Sequence, residues 1–265
     1  MPTGNEAKDL RVLHGPENAV AYSRPHIVSR TSTPVTERPG APVDVARISI
    51  QPRRPAVRSV RYLAYAAGKR AFDIVGAVAL LLVFSPLMLV ISLLLWMEGG
   101  SVIYRHRRVG RNGRMFDCLK FRTMVPNADQ VLRELLEKRP ELRAEWIRDH
   151  KLRDDPRVTA VGRFLRRTSL DELPQLWNVL RGEMSLVGPR PVVREELMRY
   201  GRNAAFYLSV KPGLTGLWQV TGRNDVSYRR RVVLDVYYIR KQNLLLDCYI
   251  LFKTPSVVFG GGGAY

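Results

Sequence analysis

Cysteine is scarce in this sequence of 265 residues, which contains only Cys118 and Cys248. Their separation fits neither a disulfide framework nor the paired spacing of a metal site, which excludes a cysteine-rich zinc module or a disulfide-stabilised module. A reducing, cytoplasmic setting for the soluble part is the simplest interpretation. The N-terminus is polar, so we expect no cleavable signal peptide.

Acidic side chains are also few, since 24 aspartates and glutamates face 43 lysines and arginines and leave a formal charge of +19 at pH 7. A surplus of this size predicts an anionic partner. Charge alone leaves three classes of partner open: nucleic acid, an acidic membrane surface and phosphorylated substrates. The length suffices for one domain with a core, with or without appendages.

Sustained hydrophobic periodicity is missing from residues 1–58, which hold 8 of the 17 prolines. Such a segment cannot bury enough apolar surface to offset the entropy lost on ordering. We therefore predict a disordered or loosely attached, Pro-rich extension over residues 1–58. A solvated tail without a specific role is the simplest account of it.

Charge is almost missing from the apolar run Ala71 to Met97, in which Asp73 is the one charged residue. As a helix this run would be about 40 Å long, against a hydrocarbon core of about 30 Å, so its length permits a spanning helix. Ser85 and Pro86 lie at its centre, where the proline removes a backbone hydrogen bond and kinks or breaks the helix. The length and apolarity argue against a buried helix of a soluble protein.

Lysines and arginines flank this run on both sides, and positive flanks prefer the cytoplasmic face of a membrane. We therefore predict a re-entrant hairpin over residues 69–98, in which helix, break and helix enter and leave by the same face. Ser85 and Pro86 would form its hinge, with Ser85 capping backbone groups that the break frees. An ordinary spanning helix with a proline kink is the alternative.

A small β unit is predicted around the dipeptide Asn112-Gly113, which accepts the positive φ angles of a type I′ hairpin turn. Side chains repeat every two residues along a strand, so we expect Lys120 and Arg122 on one face. Two cations on one face make a candidate phosphate cradle. The alternative, a solvated strand face, is the commoner outcome for a lone pair of charges.

The segment SLDELPQLWN places two carboxylates, Asp171 and Glu172, side by side in a very basic chain. Proline is tolerated in the first turn of a helix but not deep inside one, so Pro174 predicts a helix that begins near Asp171 and stops at Gly182. One interpretation of the acidic pair is therefore local. Asp171 would be the N-cap, Glu172 would be a first-turn acid that the helix dipole favours, and Ser169 with Glu172 would resemble a capping box.

The second interpretation of the pair is chemical. A helix N-terminus binds phosphate, and nearby arginines neutralise phosphate oxygens and keep a carboxylate ionised. A carboxylate can act as a nucleophile that forms an acyl phosphate, and its neighbour can hold Mg²⁺ together with substrate phosphates. The candidate phosphate contacts are Arg166 before the pair, Arg190 in the turn GPRP, and Arg223 and Asn224 in a Gly-rich loop.

Five motifs taken together resemble the bacterial sugar transferases, also called monotopic phosphoglycosyl transferases. They are KRAFDIVGAVALLLVFSPLMLVISLLLW, RVGRNGRMFDCLKFRTM, DDPRVTAVGRFLRRTSLDELPQLWNVLRGEMSLVGPRP, VKPGLTGLWQVTGRNDVSY and LDVYYIRKQNLLLDCYILFKT. The resemblance covers Lys69 to Tyr265, with the motifs in the order of the family, and leaves residues 1–58 outside it.

The resemblance implies an α/β fold with a small sheet, a catalytic domain over residues 99–265 and a re-entrant membrane anchor before it. The implied activity moves a sugar 1-phosphate from a UDP-sugar to a polyprenol phosphate and releases UMP. The family's catalytic pair maps onto Asp171, the nucleophile that carries the phosphosugar, and Glu172, which contributes with Asp171 to a Mg²⁺ site. The implied substrate-binding residues are Lys120, Arg122, Arg166, Arg190, Arg223 and Asn224.

Within the family, the sequence looks most like enzymes of exopolysaccharide production. This implies UDP-galactose, or else UDP-glucose, as the donor and undecaprenyl phosphate as the acceptor. The resemblance also implies a place at the bacterial inner membrane, with the catalytic domain on the cytoplasmic face. A homodimer is possible under it, and nucleic acid is not expected as a partner. The alternatives are a membrane-anchored nucleic-acid-binding protein, an assembly scaffold, and a glycosyltransferase that moves the sugar alone and releases UDP.

Overall fold

The computed structural model of the protein describes residues 60–149, 152, 155–222 and 226–259. The predicted extension over residues 1–58 lies outside this part of the chain, as do Arg223 and Asn224 of the predicted substrate-binding set. Most of the described chain is helical, and its strands form two small sheets. The predicted mixed fold with a small sheet is therefore confirmed in its coarse form.

The helices and strands follow one another in short elements after one long helix. In chain order the helices are α1 (Val60–Met97), α2 (Ala128–Lys138), α3 (Pro140–Asp149), α4 (Ala160–Thr168), α5 (Gln175–Arg181), α6 (Arg194–Met198), α7 (Ala204–Ser209), α8 (Leu217–Thr221), α9 (Tyr228–Lys241) and α10 (Leu244–Phe259). The strands are β1 (Ile103–Val109), β2 (Met115–Phe121), β3 (Ser185–Val187) and β4 (Gly213–Thr215). Strands β1 and β2 pair antiparallel, whereas β3 and β4 pair parallel in a separate sheet.

Helix α1 contains a stretch, Tyr65–Met97, that is long and apolar enough to cross a membrane, with a mean hydropathy of 2.8 in its most apolar window. The helix continues through Pro86, so the predicted break is not seen and the re-entrant hairpin stays a prediction. The hydroxyl of Ser85 donates to the carbonyl of Leu82 at 2.9 Å. That carbonyl is the acceptor that proline at position 86 cannot use. The predicted role of Ser85 and Pro86 as a hinge stays a prediction, because the helix is continuous here.

Polar side chains near the start of α1 fasten it to the rest of the domain. Asp73 is 2% exposed and accepts hydrogen bonds from the Ser185 hydroxyl at 2.9 Å and from the next backbone N–H at 3.0 Å. Arg70 donates to two of the last carbonyls of α5, at 2.7 and 2.8 Å. Lys69 forms an ion pair of 2.8 Å with the fully buried Asp247 of α10. These contacts connect the apolar helix directly to α5, the helix that follows the acidic pair.

The β1–β2 hairpin turns at Asn112 and Gly113, whose φ angles are 58° and 75°. Both are positive, as a type I′ turn requires, so the predicted turn is confirmed. Residues directly opposite each other in an antiparallel pair share a face. The register pairs Lys120 with Tyr104 and places Arg108 on the same face two rows further along. One face of this hairpin therefore carries both cations.

Helix α5 is fixed against β2 by a fully buried amide. Asn178, which is 0% exposed, accepts from the N–H of Leu119 at 3.0 Å and donates to the carbonyl of Asp117 at 2.8 Å. Leu176 and Val179 of the same helix lie in the main hydrophobic core. The helix and the turn before it are therefore held in one position relative to Lys120 on β2.

Candidate active site

Asp171 and Glu172 lie on a tight turn between α4 and α5. Helix α4 ends at Thr168, and Ser169 then adopts a left-handed conformation with φ 56° and ψ 16°. A single 3-10 turn follows and contains both acids. The reversal at Ser169 turns the chain back toward β2, so that the carboxylates face the hairpin instead of continuing along α4.

The α-helix after the acids begins at Gln175, immediately after Pro174, rather than near Asp171 as the sequence predicted. The 3-10 turn takes up the residues that we had expected in its first turn. The predicted stop is confirmed at Gly182, whose φ is 80°. Neither Ser169 nor Asp171 uses its side chain to cap this turn within the part of the chain that the structure describes. The local capping interpretation is therefore not supported.

Lys120 of β2 joins the two acids. Its ammonium nitrogen lies 2.7 Å from Glu172 Oε1 and 3.6 Å from Asp171 Oδ2. The side chain of Asp171 is 12% exposed and that of Glu172 is 21% exposed. Such a half-enclosed position strengthens the ion pair relative to one on an open surface. The structure thus brings together Lys120, Asp171 and Glu172 of the predicted site.

The two carboxyl groups differ in pKa. Burial raises the pKa of Asp171 to about 6, with a further contribution from the charge of Glu172, although Lys120 and two arginines act in the opposite direction. Burial also acts to raise the pKa of Glu172, but the charges of Lys120 and Arg190 outweigh it, and this pKa lies below its ordinary value. Asp171 is therefore the more basic carboxylate of the pair. Two neighbouring groups whose pKa values are driven apart are typical of a catalytic site.

Two of the predicted arginines lie near the pair in different environments. The Nε of Arg166 donates to the hydroxyl of Thr123 at 2.9 Å, and its charge lowers the pKa of Asp171. Arg190 is exposed and makes no hydrogen bond or ion pair with any residue that the structure describes, yet its charge lowers the pKa of both acids. Arg166 is therefore fixed in place, while Arg190 is available for an anionic ligand.

The structure places Arg122 away from this group. The strand ends at Phe121, and the guanidinium of Arg122 donates to the carbonyls of Leu95 at 2.9 Å and Ser101 at 2.8 Å. Its Nη2 also lies 3.7 Å from a carboxylate oxygen of Glu98. Arg122 therefore ties down the end of α1, and the expected cradle of Lys120 with Arg122 on one face is not formed.

A pocket with an empty volume of about 270 Å³ opens beside Glu172. The polar residues that line it are Arg108, Lys120, Glu172, Gln175, Arg190 and Gln219. Cys118 also lines it, and burial raises the pKa of this thiol to about 11, so the thiol stays protonated at neutral pH and does not compete as a nucleophile.

Three of the lining residues, Arg108, Gln175 and Gln219, were not identified from the sequence. Alternation across the Asn-Gly turn predicts Arg108 on the face of Lys120, so the signal for it was present. Gln175 lies three residues after Glu172, and helical spacing indicates a shared face. No local pattern points to Gln219, because its place depends on the packing of α8 against distant parts of the chain.

The acidic pair has the donor chemistry of a partial Mg²⁺ site. Mg²⁺ takes oxygen ligands and is usually held by one or two carboxylates together with substrate phosphates and water. One oxygen of each acid, Asp171 Oδ1 and Glu172 Oε2, has no hydrogen-bonding partner in the described part of the chain. No group of three or more metal-ligating side chains is found among the described residues. The residues present therefore fit a Mg²⁺ ion that takes its other ligands from a substrate.

Gly162 allows α4 to pass close to the chain after β2. A Cβ at this position would lie 2.1 Å from the carbonyl oxygen of Thr123, which is a backbone atom. The same approach brings Arg166, one turn further along α4, to the hydroxyl of Thr123. Gly162 therefore sets the position of α4, and with it the position of Arg166 beside Asp171.

We expect the substitution Gly162→Ala to lower the free energy of unfolding by about 1–3 kcal/mol, because the added methyl group must displace backbone. Thermal unfolding of the purified protein in detergent measures this. Gly68→Ala is the matched control, since the nearest atom to its added Cβ is a side-chain atom 3.7 Å away. If both variants lost the same free energy of unfolding, the close approach at Gly162 would not be the cause of the loss.

A family model for bacterial sugar transferases matches residues 64–261. The chain is 55% identical over 210 residues to the undecaprenyl-phosphate galactose phosphotransferase of Salmonella typhimurium, and the aligned region covers 79% of this chain and 43% of that protein. It is 55% identical over 197 residues to the UDP-galactose-lipid carrier transferase of Erwinia amylovora, covering 74% of this chain and 41% of that protein. It is 54% identical over 198 residues to the exopolysaccharide production protein ExoY of Sinorhizobium fredii, covering 74% and 88%.

The chain spans less than half the length of the first two relatives and most of the third. The matched residues include the apolar helix, the hairpin with Lys120, the turn with both acids and every polar residue that lines the pocket. The family that the five motifs indicated is therefore confirmed. The chain belongs to the bacterial sugar transferase family.

Proposed function

We propose that this chain transfers a sugar 1-phosphate, with galactose 1-phosphate as the favoured group, from a UDP-sugar to undecaprenyl phosphate and releases UMP. The relatives named undecaprenyl-phosphate galactose phosphotransferase and UDP-galactose-lipid carrier transferase support these substrates. The observation that carries the proposal is the buried carboxylate of Asp171, which lies 3.6 Å from the Lys120 ammonium. A carboxylate nucleophile surrounded by cations suits attack on a phosphoryl group.

In the first step, a carboxylate oxygen of Asp171 attacks the β-phosphorus of the donor. A bond forms between this oxygen and the phosphorus, while the bond from the phosphorus to the bridging oxygen of the α-phosphate breaks. UMP leaves with the electron pair, and the sugar stays on its phosphate as an acyl phosphate of Asp171. A pKa of about 6 leaves Asp171 ionised at neutral pH but more basic than an ordinary aspartate.

Cations in the site offset the repulsion between an anionic nucleophile and an anionic diphosphate. Lys120 holds Glu172 at 2.7 Å and faces Asp171. Arg166 keeps Asp171 ionised, and the exposed Arg190 is placed to contact a phosphate. When held by Asp171 and Glu172, Mg²⁺ supplies additional positive charge for the phosphate oxygens.

In the second step, a phosphate oxygen of undecaprenyl phosphate attacks the same phosphorus. The bond between the phosphorus and Asp171 breaks, which restores the carboxylate and yields undecaprenyl diphosphate sugar. The phosphate of the acceptor stays at the membrane surface because its polyprenyl chain is buried in lipid. The site must therefore lie close to that surface, and the basic composition of the chain favours an anionic membrane face.

A re-entrant course of α1 would set this depth and keep both chain ends on the cytoplasmic face of the inner membrane. In support, both ends of the apolar stretch are tied to the same domain: one through Asp73, and the other through the carbonyl of Leu95, which Arg122 binds at 2.9 Å. Many side chains between them are exposed, as Leu82 is at 70%, whereas Ala77 and Ile91 are buried against the domain. A hinge at Pro86 lies in this exposed middle and would form the tip of the hairpin.

Incubating the full chain with Mg²⁺, undecaprenyl phosphate and a panel of UDP-sugars tests the proposal. We expect UMP release with UDP-galactose in an amount equal to the lipid product. Release of UDP would instead identify transfer of the sugar alone, and no release with any sugar would overturn the proposed function. Without acceptor, mass spectrometry should detect the phosphosugar on a peptide that contains Asp171, and an adduct on another residue would refute its role.

A further inference from the structure

Two amide side chains in the pocket beside Glu172 make no hydrogen bond with any residue that the structure describes. Gln175 is 2% exposed, yet its amide makes no hydrogen bond with any described residue. The Oε1 atom of Gln219, in the same pocket, is buried and also has no partner. Buried polar groups are hydrogen-bonded in the great majority of cases. The buried, unpaired Oε1 of Gln219, with the amide of Gln175 lining the same pocket, therefore indicates a polar ligand that pairs with them.

Both amides are carried by helices that pack against neighbouring parts of the site. Gln175 is the first residue of α5, four positions after Asp171. Gln219 lies on α8, whose N-terminal end packs tightly, because a Cβ on Gly216 would lie 2.3 Å from the carbonyl oxygen of Gly188. Gly188 in turn precedes Arg190 by two residues. The two amides and the exposed arginine thus line one pocket together with Glu172.

The cationic side of the pocket is suited to a phosphate group. The side chain of Arg108 is 15% exposed, and its Nη1 lies 3.4 Å from a carboxylate oxygen of Glu196. Burial, followed by the positive charge of Arg190, lowers the pKa of Arg108, and both arginines line the same pocket. An anion between them would relieve this repulsion. The pocket therefore combines a cationic side with a neutral side that offers amides.

The uracil base of a donor fits this pocket poorly. Bases are commonly held by stacking on aromatic side chains, and no aromatic residue is among the described residues that line the pocket. The apolar lining consists of Pro191 and Leu214. Apart from Cys118, the rest of the lining is polar or charged. A single sugar ring with its phosphate is the part of a UDP-sugar that this pocket favours.

We propose that this pocket binds the hexose ring of the donor, and that Gln175 and Gln219 select the sugar by hydrogen-bonding its hydroxyl groups. The inference rests on the proposed transfer of a sugar 1-phosphate. An amide offers both N–H donors and a carbonyl acceptor, which is what a hydroxyl group requires. A site built to bind one hydroxyl discriminates against an epimer in which that hydroxyl points away, because the buried amide then stays unpaired.

The variants Gln219→Met and Gln175→Met test the selection, since methionine keeps the length of the side chain and removes its hydrogen bonds. UMP release is measured with UDP-galactose and with its epimer UDP-glucose, and UMP itself is used as an inhibitor. We expect kcat/KM for the preferred donor to fall about tenfold in each variant, the loss of roughly one hydrogen bond. The ratio of kcat/KM between the epimers should approach one, while the inhibition constant of UMP stays within about twofold of that of the wild type.

Gln130→Met is the matched control, because Gln130 is exposed on α2 and bonds only Glu134 among the described residues, at 3.0 Å. An epimer ratio that is unchanged in both pocket variants overturns the inference. UMP inhibition weakened as much as donor KM would also overturn it, since the nucleotide would then occupy this pocket. If Gln175→Met fails to bind UMP, that variant is judged unfolded. The epimer ratio of Gln219→Met alone then tests the inference. A wild-type protein that releases no UMP with any UDP-sugar refutes the proposed function, and the inference falls with it.

Discussion

An Asp171→Asn protein is expected to release UMP at least about a thousandfold more slowly than the wild type, and to form no covalent phosphosugar. The amide of asparagine has the size of the carboxylate but lacks its negative charge and its nucleophilicity. Lys120 should stay in place, because its shorter contact of 2.7 Å is with Glu172. UMP release and the intact mass of the protein after incubation with donor alone measure the two effects.

The same substitution is expected to stabilise the fold at neutral pH, which separates lost chemistry from lost structure. The pKa of Asp171 is raised by burial from 3.8 to about 6, so the folded state holds this proton more tightly than the unfolded chain does. The resulting stabilisation is present below about pH 4 and is lost as the pH rises to about 6, which leaves a cost of about 3 kcal/mol above that pH. Asparagine does not titrate, so the variant should melt at the same or a higher temperature than the wild type at pH 7.5.

Asp117→Asn is the control for this prediction. Asp117 lies on the other face of the same hairpin, its side chain is 44% exposed, and it is 3.7 Å from Arg107. We expect its variant to work at the wild-type rate within about twofold, since exposed ion pairs contribute little. An Asp171→Asn protein that keeps a tenth of the wild-type rate, or that still acquires the phosphosugar, would exclude Asp171 as the nucleophile.

The parts of the site that sequence reasoning predicted depend on local chemistry. Asn112 and Gly113 accept positive φ angles, so the hairpin and the position of Lys120 follow from a few neighbouring residues. Pro174 limits where a helix can begin, so the sequence predicted the start of α5 to within a few residues and placed the acidic pair at that start. The pairing of Lys120 with Glu172 needed one further step, the left-handed turn at Ser169, for which the sequence shows no strong signal.

The parts that it missed depend on contacts between distant residues. Alternation along a strand predicted Arg122 beside Lys120, but the strand ends one residue earlier, and the end of α1 supplies carbonyls that bind the guanidinium. The break expected at Pro86 stays a prediction, and in this structure a hydrogen bond from Ser85 to Leu82 accompanies a continuous helix. Gln219 lines the pocket because of the way α8 packs against distant parts of the chain. In each case a partner far along the chain, or a competing local bond, decided the outcome.

Replacing Lys120 with methionine is expected to slow adduct formation about a hundredfold at pH 7 and to move the acid limb of the pH profile upward. Lys120 lies 3.6 Å from Asp171, and its charge lowers the pKa of that carboxyl group. In the wild type, with a pKa of about 6 for Asp171, the rate should fall tenfold per pH unit below that value. Without the lysine charge the limb should rise by about one to three pH units, which is the usual effect of an adjacent opposite charge.

The direction of the pH shift distinguishes this electrostatic role from a simple loss of packing. If protonation of Asp171 causes the slow rate of Lys120→Met, raising the pH to 9 should restore part of the activity, whereas a misplaced turn would stay slow at every pH. Lys120→Arg keeps the charge and should keep the limb near the wild-type value. Adduct formation without acceptor is the reaction to measure, because a phosphate monoester such as the acceptor titrates near pH 6 itself. A limb that stays near pH 6 in Lys120→Met would mean that another group sets the ionisation of Asp171.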